Sequence, residues 1–80
     1  MTLEEILDLY PDREFVKADG FDDAVIGFEP NTDVLVYDRN KMIDILIYDD
    51  DMTEIEAIEY LEFNTWGAYI GEKTPIYIET

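Results

Sequence analysis

The chain has 80 residues, enough for one domain with one modest core and too few for two. Hydrophobic residues make up 48%, among them six Tyr, four Phe and one Trp, which excludes a disordered acidic tail; the lack of Cys excludes disulfides and thiolate metal sites. Against five Lys and Arg stand 21 Asp and Glu, a formal net charge of −16, where a designed small domain carries a magnitude of roughly 2–8. That balance turns away nucleic acid and anionic membrane surfaces, and suits a basic protein surface or a multivalent cation.

Thr2-Leu3-Glu4-Glu5 is a capping box, a Thr N-cap with Glu three residues on. Leu3, Ile6, Leu7 and Tyr10 follow at helical spacing, and Pro11 disfavours helix at Tyr10, so a short helix is predicted over Leu3 to Leu9. This acidic start lacks the basic and apolar regions of a secretory signal. No apolar run approaches the roughly 20 residues that span a bilayer. Arg13 to Lys17 reads as a short extended segment and Ala18-Asp19-Gly20 as a turn. Ala24 to Glu29 reads as a strand, with Gly27 a bulge or close-approach site. Pro30-Asn31-Thr32-Asp33 is loop chemistry, and Val34 to Tyr37 completes a hairpin.

Asn40 is expected to cap a helix over Lys41 to Tyr48, on which Met42, Ile43, Leu46 and Ile47 share a face. The Ile content leaves a strand as the alternative there. Asp49-Asp50-Asp51 breaks the segment. Thr53-Glu54-Ile55-Glu56 is a second capping box and opens a helix from Glu54 to Asn64 or beyond. Gly67 and Gly71 mark its end and a turn, and Pro75 precedes a last strand, Ile76 to Ile78. The expected architecture is α+β, a single domain over residues 1–80. In it a small antiparallel sheet of about three strands packs against two or three helices.

From Met42 to Glu72 the chain carries nine acids and no Lys, Arg or His. At about 100° per residue, Ala57, Ile58 and Leu61 share one side of the last helix. Glu56, Glu59 and Glu62 make a stripe on another side, with Phe63 and Trp66 close to it. Like charges three or four apart destabilise a helix by a few tenths of a kcal/mol per pair. No cation is interleaved to offset that. The stripe is therefore either an ordinary solvated face or a contact surface.

Asp49-Asp50-Asp51 lacks the Gly and Glu positions of an EF-hand loop, and its place before a helix N-terminus accounts for its charge, so no metal and no cofactor is expected. His and Cys are both absent, no carboxylate pair stands out for glycosidase-type work, and the four glycines do not form a phosphate loop. No catalytic residue is assigned, and the chain is not expected to be an enzyme. The run from Asn64 to Ile78 reads as a turn and a returning strand, with Trp66 and Tyr69 packing on the core.

Glu56-Ala57-Ile58-Glu59-Tyr60-Leu61-Glu62-Phe63-Asn64, followed by Gly67-Ala68-Tyr69-Ile70-Gly71-Glu72-Lys73-Thr74-Pro75-Ile76, resembles a family of small acidic proteins common in tailed-phage genomes. Ala18 to Ala24 and the strand after it share the likeness, which covers most of the chain. The resemblance implies phage or prophage origin and residence in the bacterial host cytoplasm. It carries no catalytic residues and supplies no activity.

Charge and resemblance together lead to the expectation of an inhibitor of DNA-mimic type. It would dock on a basic, nucleic-acid-handling host protein, with CRISPR or restriction enzymes favoured. Double-stranded DNA carries about one negative charge per 1.7 Å of axis, a field that carboxylates on a rigid helix approximate. The expected contact residues are Asp49, Asp50, Asp51, Glu56, Glu59 and Glu62, with Trp66 as aromatic anchor. No membrane and no direct nucleic acid is expected as partner. The alternative is a non-catalytic structural or interaction module, self-association included, whose acidity serves solubility and whose contact is apolar. A third reading, a divalent-cation protein, predicts a rise in melting temperature specific to Ca²⁺.

Overall fold

Two capping boxes start two of the three helices. The computed structural model describes residues 1–80. In α1 (Leu3–Leu9) the Thr2 hydroxyl accepts the Glu5 N–H at 3.2 Å and the Glu5 carboxylate accepts the Thr2 N–H at 3.0 Å. Leu3 and Ile6 face the core from this helix, while Leu7 and Leu9 stay exposed. No helix is long and apolar enough to cross a membrane.

A 3-10 turn (Asp22–Ala24) leads into β1 (Val25–Glu29), so the first residue of the expected strand is spent on the turn. β1 pairs antiparallel with β2 (Val34–Asp38), and the register shifts between Val25 and Gly27, where a bulge was expected. The Glu29 carboxylate closes the hairpin loop by accepting the Thr32 N–H and hydroxyl, both at 2.8 Å.

The sheet is not wholly antiparallel. β3 (Ile76–Ile78) pairs parallel with β2, which makes a mixed sheet of order β1-β2-β3. The reason lies in the connection. Two helices fill the chain between β2 and β3, and such a crossover returns the strand in the same direction. Arg13 to Lys17 does not form the expected strand either. Side chains hold the segment instead of a ladder. Phe15 packs edge-on against Phe28 with ring centres 5.7 Å apart, and the Ala18 N–H donates to the Tyr37 hydroxyl at 2.8 Å.

α2 (Arg39–Asp49) starts immediately after β2, capped by Asp38 rather than Asn40. The Asp38 carboxylate accepts the Asn40 N–H at 2.9 Å and the Thr80 hydroxyl at 2.7 Å, which satisfies this buried acid without a cation. Met42 and Leu46 are buried, with Ile43 and Ile47 beside them, so the Ile-rich segment is a helix. It ends as Asp51 enters the left-handed region at φ 55° and the Met52 N–H returns to the Leu46 carbonyl at 3.3 Å.

α3 (Glu54–Leu61) opens with the second capping box, Thr53 with Glu56. Helical backbone then continues to Trp66, but Glu62–Trp66 is a π turn. One core of eleven residues joins these elements: Leu3, Ile6, Phe21, Ala24, Val25, Leu35, Tyr37, Met42, Leu46, Ala57 and Leu61. The protein is thus a small α+β domain of three helices and a three-stranded mixed sheet.

Candidate functional site

The five cations decide where negative charge is left uncovered. The chain has one ion pair, Arg13 to Asp33 at 2.9 Å. Arg13 also donates to the Pro30 carbonyl and lies 4.8 Å from the centre of the Tyr10 ring. Arg39 donates its Nε–H to the Tyr77 carbonyl at 3.1 Å and stacks over Trp66. Lys73 donates to the Glu14 carbonyl at 2.8 Å. Lys17 and Lys41 both line a groove of about 620 Å³ walled by α1, the 3-10 turn and the start of β1, where Glu4, Glu5, Asp22 and Asp23 accompany them. None of the five lies on α3 or the π turn, and no cation pairs with a carboxylate there.

The outer side of α3 follows from its core side. Ala57 and Leu61 are buried, so the opposite arc of α3 carries Ile55, Glu56 and Glu59; Glu62 and Phe63 continue it onto the π turn, and Tyr60 stands at its flank. Phe63 is 90% exposed, Ile55 70% and Tyr60 43%. Ile55, Glu59 and Phe63 stand four residues apart in one row, with Glu56 and Tyr60 in the next. The Glu56 carboxylate accepts the Thr53 N–H at 3.0 Å. That backbone bond, with the Thr53 hydroxyl second, holds its carboxyl below the usual carboxylate range and keeps it ionised.

The seven residues expected to form the contact are not one cluster. Glu56 and Glu59 share the outer arc of α3, and Glu62 is exposed at the start of the π turn. Asp49 lines a separate groove of about 300 Å³ with Gly20, Asp22, Asp23 and Ile45. Asp50 caps α2, and Asp51 is left-handed, so the three adjacent side chains diverge. No three carboxylates in the protein stand in a geometry that could hold a metal ion.

Trp66 is turned from the stripe. Its Nε1–H points at the Met42 sulfur at 3.5 Å, Arg39 covers its ring at 4.6 Å, and it packs half-buried on the core. The π turn accounts for this. It is wider than an α-turn, so each residue rotates by less than 100° and Trp66 falls short of the arc that uniform α-helical spacing assigns it. The packing role read for Trp66 from the C-terminal run is the one observed. Tyr69, also read as packing on the core, is instead 73% exposed.

The aromatic on the acidic face is Phe63, and Ile55 and Tyr60 accompany it. The signal for all three was in the helical wheel, where they fall outside the arc of Ala57 and Leu61. Comparisons with models of known protein families, with curated proteins and with solved structures return no match.

Proposed function

We propose that this is a non-catalytic binding protein that sets the carboxylates of α3 against a cationic surface of another protein. The partner in this reading is a nucleic-acid-handling protein of a bacterial host, with a CRISPR or restriction enzyme first. The source is a phage or prophage, and the place of action is the host cytoplasm. A surface built to hold phosphates is complementary to carboxylates on a rigid helix, and the bound protein then excludes nucleic acid from it.

One observation carries the reading. A chain with 21 acids makes a single ion pair, at the hairpin loop, with neither partner on α3. Three of the cations are tied to backbone carbonyls, and the other two line the groove beside α1, Lys17 also lining a second groove with Tyr60, Asn64 and Thr65. No carboxylate of α3 or the π turn is in an ion pair.

Competition with DNA tests it. A purified CRISPR or restriction nuclease is loaded with labelled DNA and titrated with the protein as salt is raised. The expected result is displacement of DNA that weakens steeply with salt. A variant carrying Glu59→Arg and Glu62→Arg, with Glu56→Gln to keep the capping box, should lose it. Displacement by that variant equal to the native protein's would exclude α3 as the contact.

The exposure of Phe63 and Ile55 favours a second reading, an interaction module whose contact is apolar. Its binding is nearly indifferent to salt, so the same titration separates the two.

A further inference from the structure

The outer face of α3 is not a plain row of carboxylates. Ile55, Glu59 and Phe63 form one ridge, apolar at both ends and acidic in the middle, with Glu56 and Tyr60 alongside. Solubility alone gives no reason to set two of the most exposed apolar side chains of the protein at either end of that carboxylate. Imitation of a phosphate backbone gives none either, because a phosphate track is charged throughout. Ridges of residues four apart are the features that seat in the grooves of a second helix. A partner helix that fits must bring Arg or Lys to Glu56 and Glu59, and apolar side chains to Ile55 and Phe63.

We infer that this ridge docks a cationic amphipathic helix of the partner protein, with Phe63 and Ile55 as apolar anchors and Glu59 and Glu56 as the groups that receive its basic side chains. The inference rests on the reading that α3 meets a cationic protein, and it narrows that reading to a helix with an apolar stripe beside its charges. Charge complementarity selects this occupant over a second copy of the chain, which would bring −16 against −16 with no cation on the facing helix. The π turn contributes by withdrawing Trp66 to the core while leaving Phe63 outside, so a single aromatic stands at the end of the ridge.

Two labelled peptides of equal positive charge test it by fluorescence anisotropy: an amphipathic Lys/Leu helix and an unstructured oligoarginine. At low salt both should bind, the amphipathic helix more tightly. At high salt only the helix should remain bound. Phe63→Ser and Ile55→Ser should each weaken the helix by roughly tenfold and leave oligoarginine unchanged. Glu59→Gln should weaken both. The two serine variants alter exposed side chains, and unchanged circular dichroism confirms their fold.

If oligoarginine and the helix bind alike and neither serine variant matters, the ridge is rejected while the cationic reading survives. If neither peptide binds at low salt, both are rejected. Binding to zwitterionic vesicles that Phe63→Ser abolishes, or a dimer that it dissociates, would assign the ridge to a lipid surface or to self-association and overturn the inference.

Discussion

The Arg39 guanidinium lies 4.6 Å from the centre of the Trp66 ring and donates to the Tyr77 carbonyl at 3.1 Å, tying the start of α2 to the π turn and to β3. Arg39 forms no ion pair with a carboxylate of α3. Arg39→Ala should destabilise the protein by about 1–2 kcal/mol through the lost stacking and the unpaired carbonyl. Arg39→Lys should recover only part, since an ammonium lacks the planar face that stacks on indole. Urea unfolding measures both.

Tyr37 is wholly buried, and its hydroxyl accepts the Ala18 N–H at 2.8 Å. Tyr37→Phe keeps the ring and leaves that N–H without a partner. The expected loss is about 1–2 kcal/mol, with faster amide exchange between Arg13 and Ala18. Burial pushes the Tyr37 phenol up to about 12 from 10. The folded state therefore holds this proton to higher pH than the unfolded chain. The stabilisation is fully present below pH 10 and is lost as pH rises through 12. Tyr37→Phe should flatten this alkaline limb.

The carboxyls of Glu5 and Glu56 are held below their usual 4.5 mainly by the backbone N–H groups of Thr2 and Thr53, and that of Glu29 mainly by the Thr32 hydroxyl. Their contribution is present above pH 4.5 and is lost as pH falls through the depressed folded values. Thr53→Ala should lower stability by about 1 kcal/mol at neutral pH, read from thermal melts. It should also reduce the loss seen between neutral pH and the depressed value of Glu56.

Asp51 adopts φ 55° at the end of α2, a conformation that glycine takes at no steric cost. Asp51→Gly should raise stability by about 1 kcal/mol, whereas Asp51→Ala should give no such gain, because its Cβ still meets the strain. Chemical denaturation of the two variants side by side reads the difference.

Self-repulsion among the acids should make the protein more stable as NaCl is raised. The three carboxylates of Asp49, Asp50 and Asp51 diverge, and no other triplet converges. Ca²⁺ at equal ionic strength should therefore raise the melting temperature no further than NaCl does. A calcium-specific rise would restore the divalent-cation reading.

Local chemistry was legible in the residues, and long-range pairing was not. Both Thr-x-x-Glu boxes open helices where they were read, because capping is settled within four residues. The helix after β2 starts earlier than Asn40 implied, since Asp38 both ends the strand and caps the helix. The direction of β3 depends on what fills the chain between it and β2, which no local pattern records. The acidic stripe of Glu56 and Glu59 followed from uniform helical spacing, but the position of Trp66 did not, because the π turn breaks that spacing from Glu62 onward. Asp49 ends α2, Asp50 is its C-cap and Asp51 is left-handed, a backbone course that the run of three acids does not spell out.

The most direct measurement is a map of backbone amide shifts while the isotope-labelled protein is titrated with the amphipathic Lys/Leu helix. The account predicts that the largest changes fall on Ile55, Glu56, Glu59, Tyr60 and Phe63, with little at Asp8, Asp12, Asp19 and Glu79. Changes spread evenly over all of these acids would contradict it, since they would mean that the negative charge attracts cations everywhere and α3 is no special face.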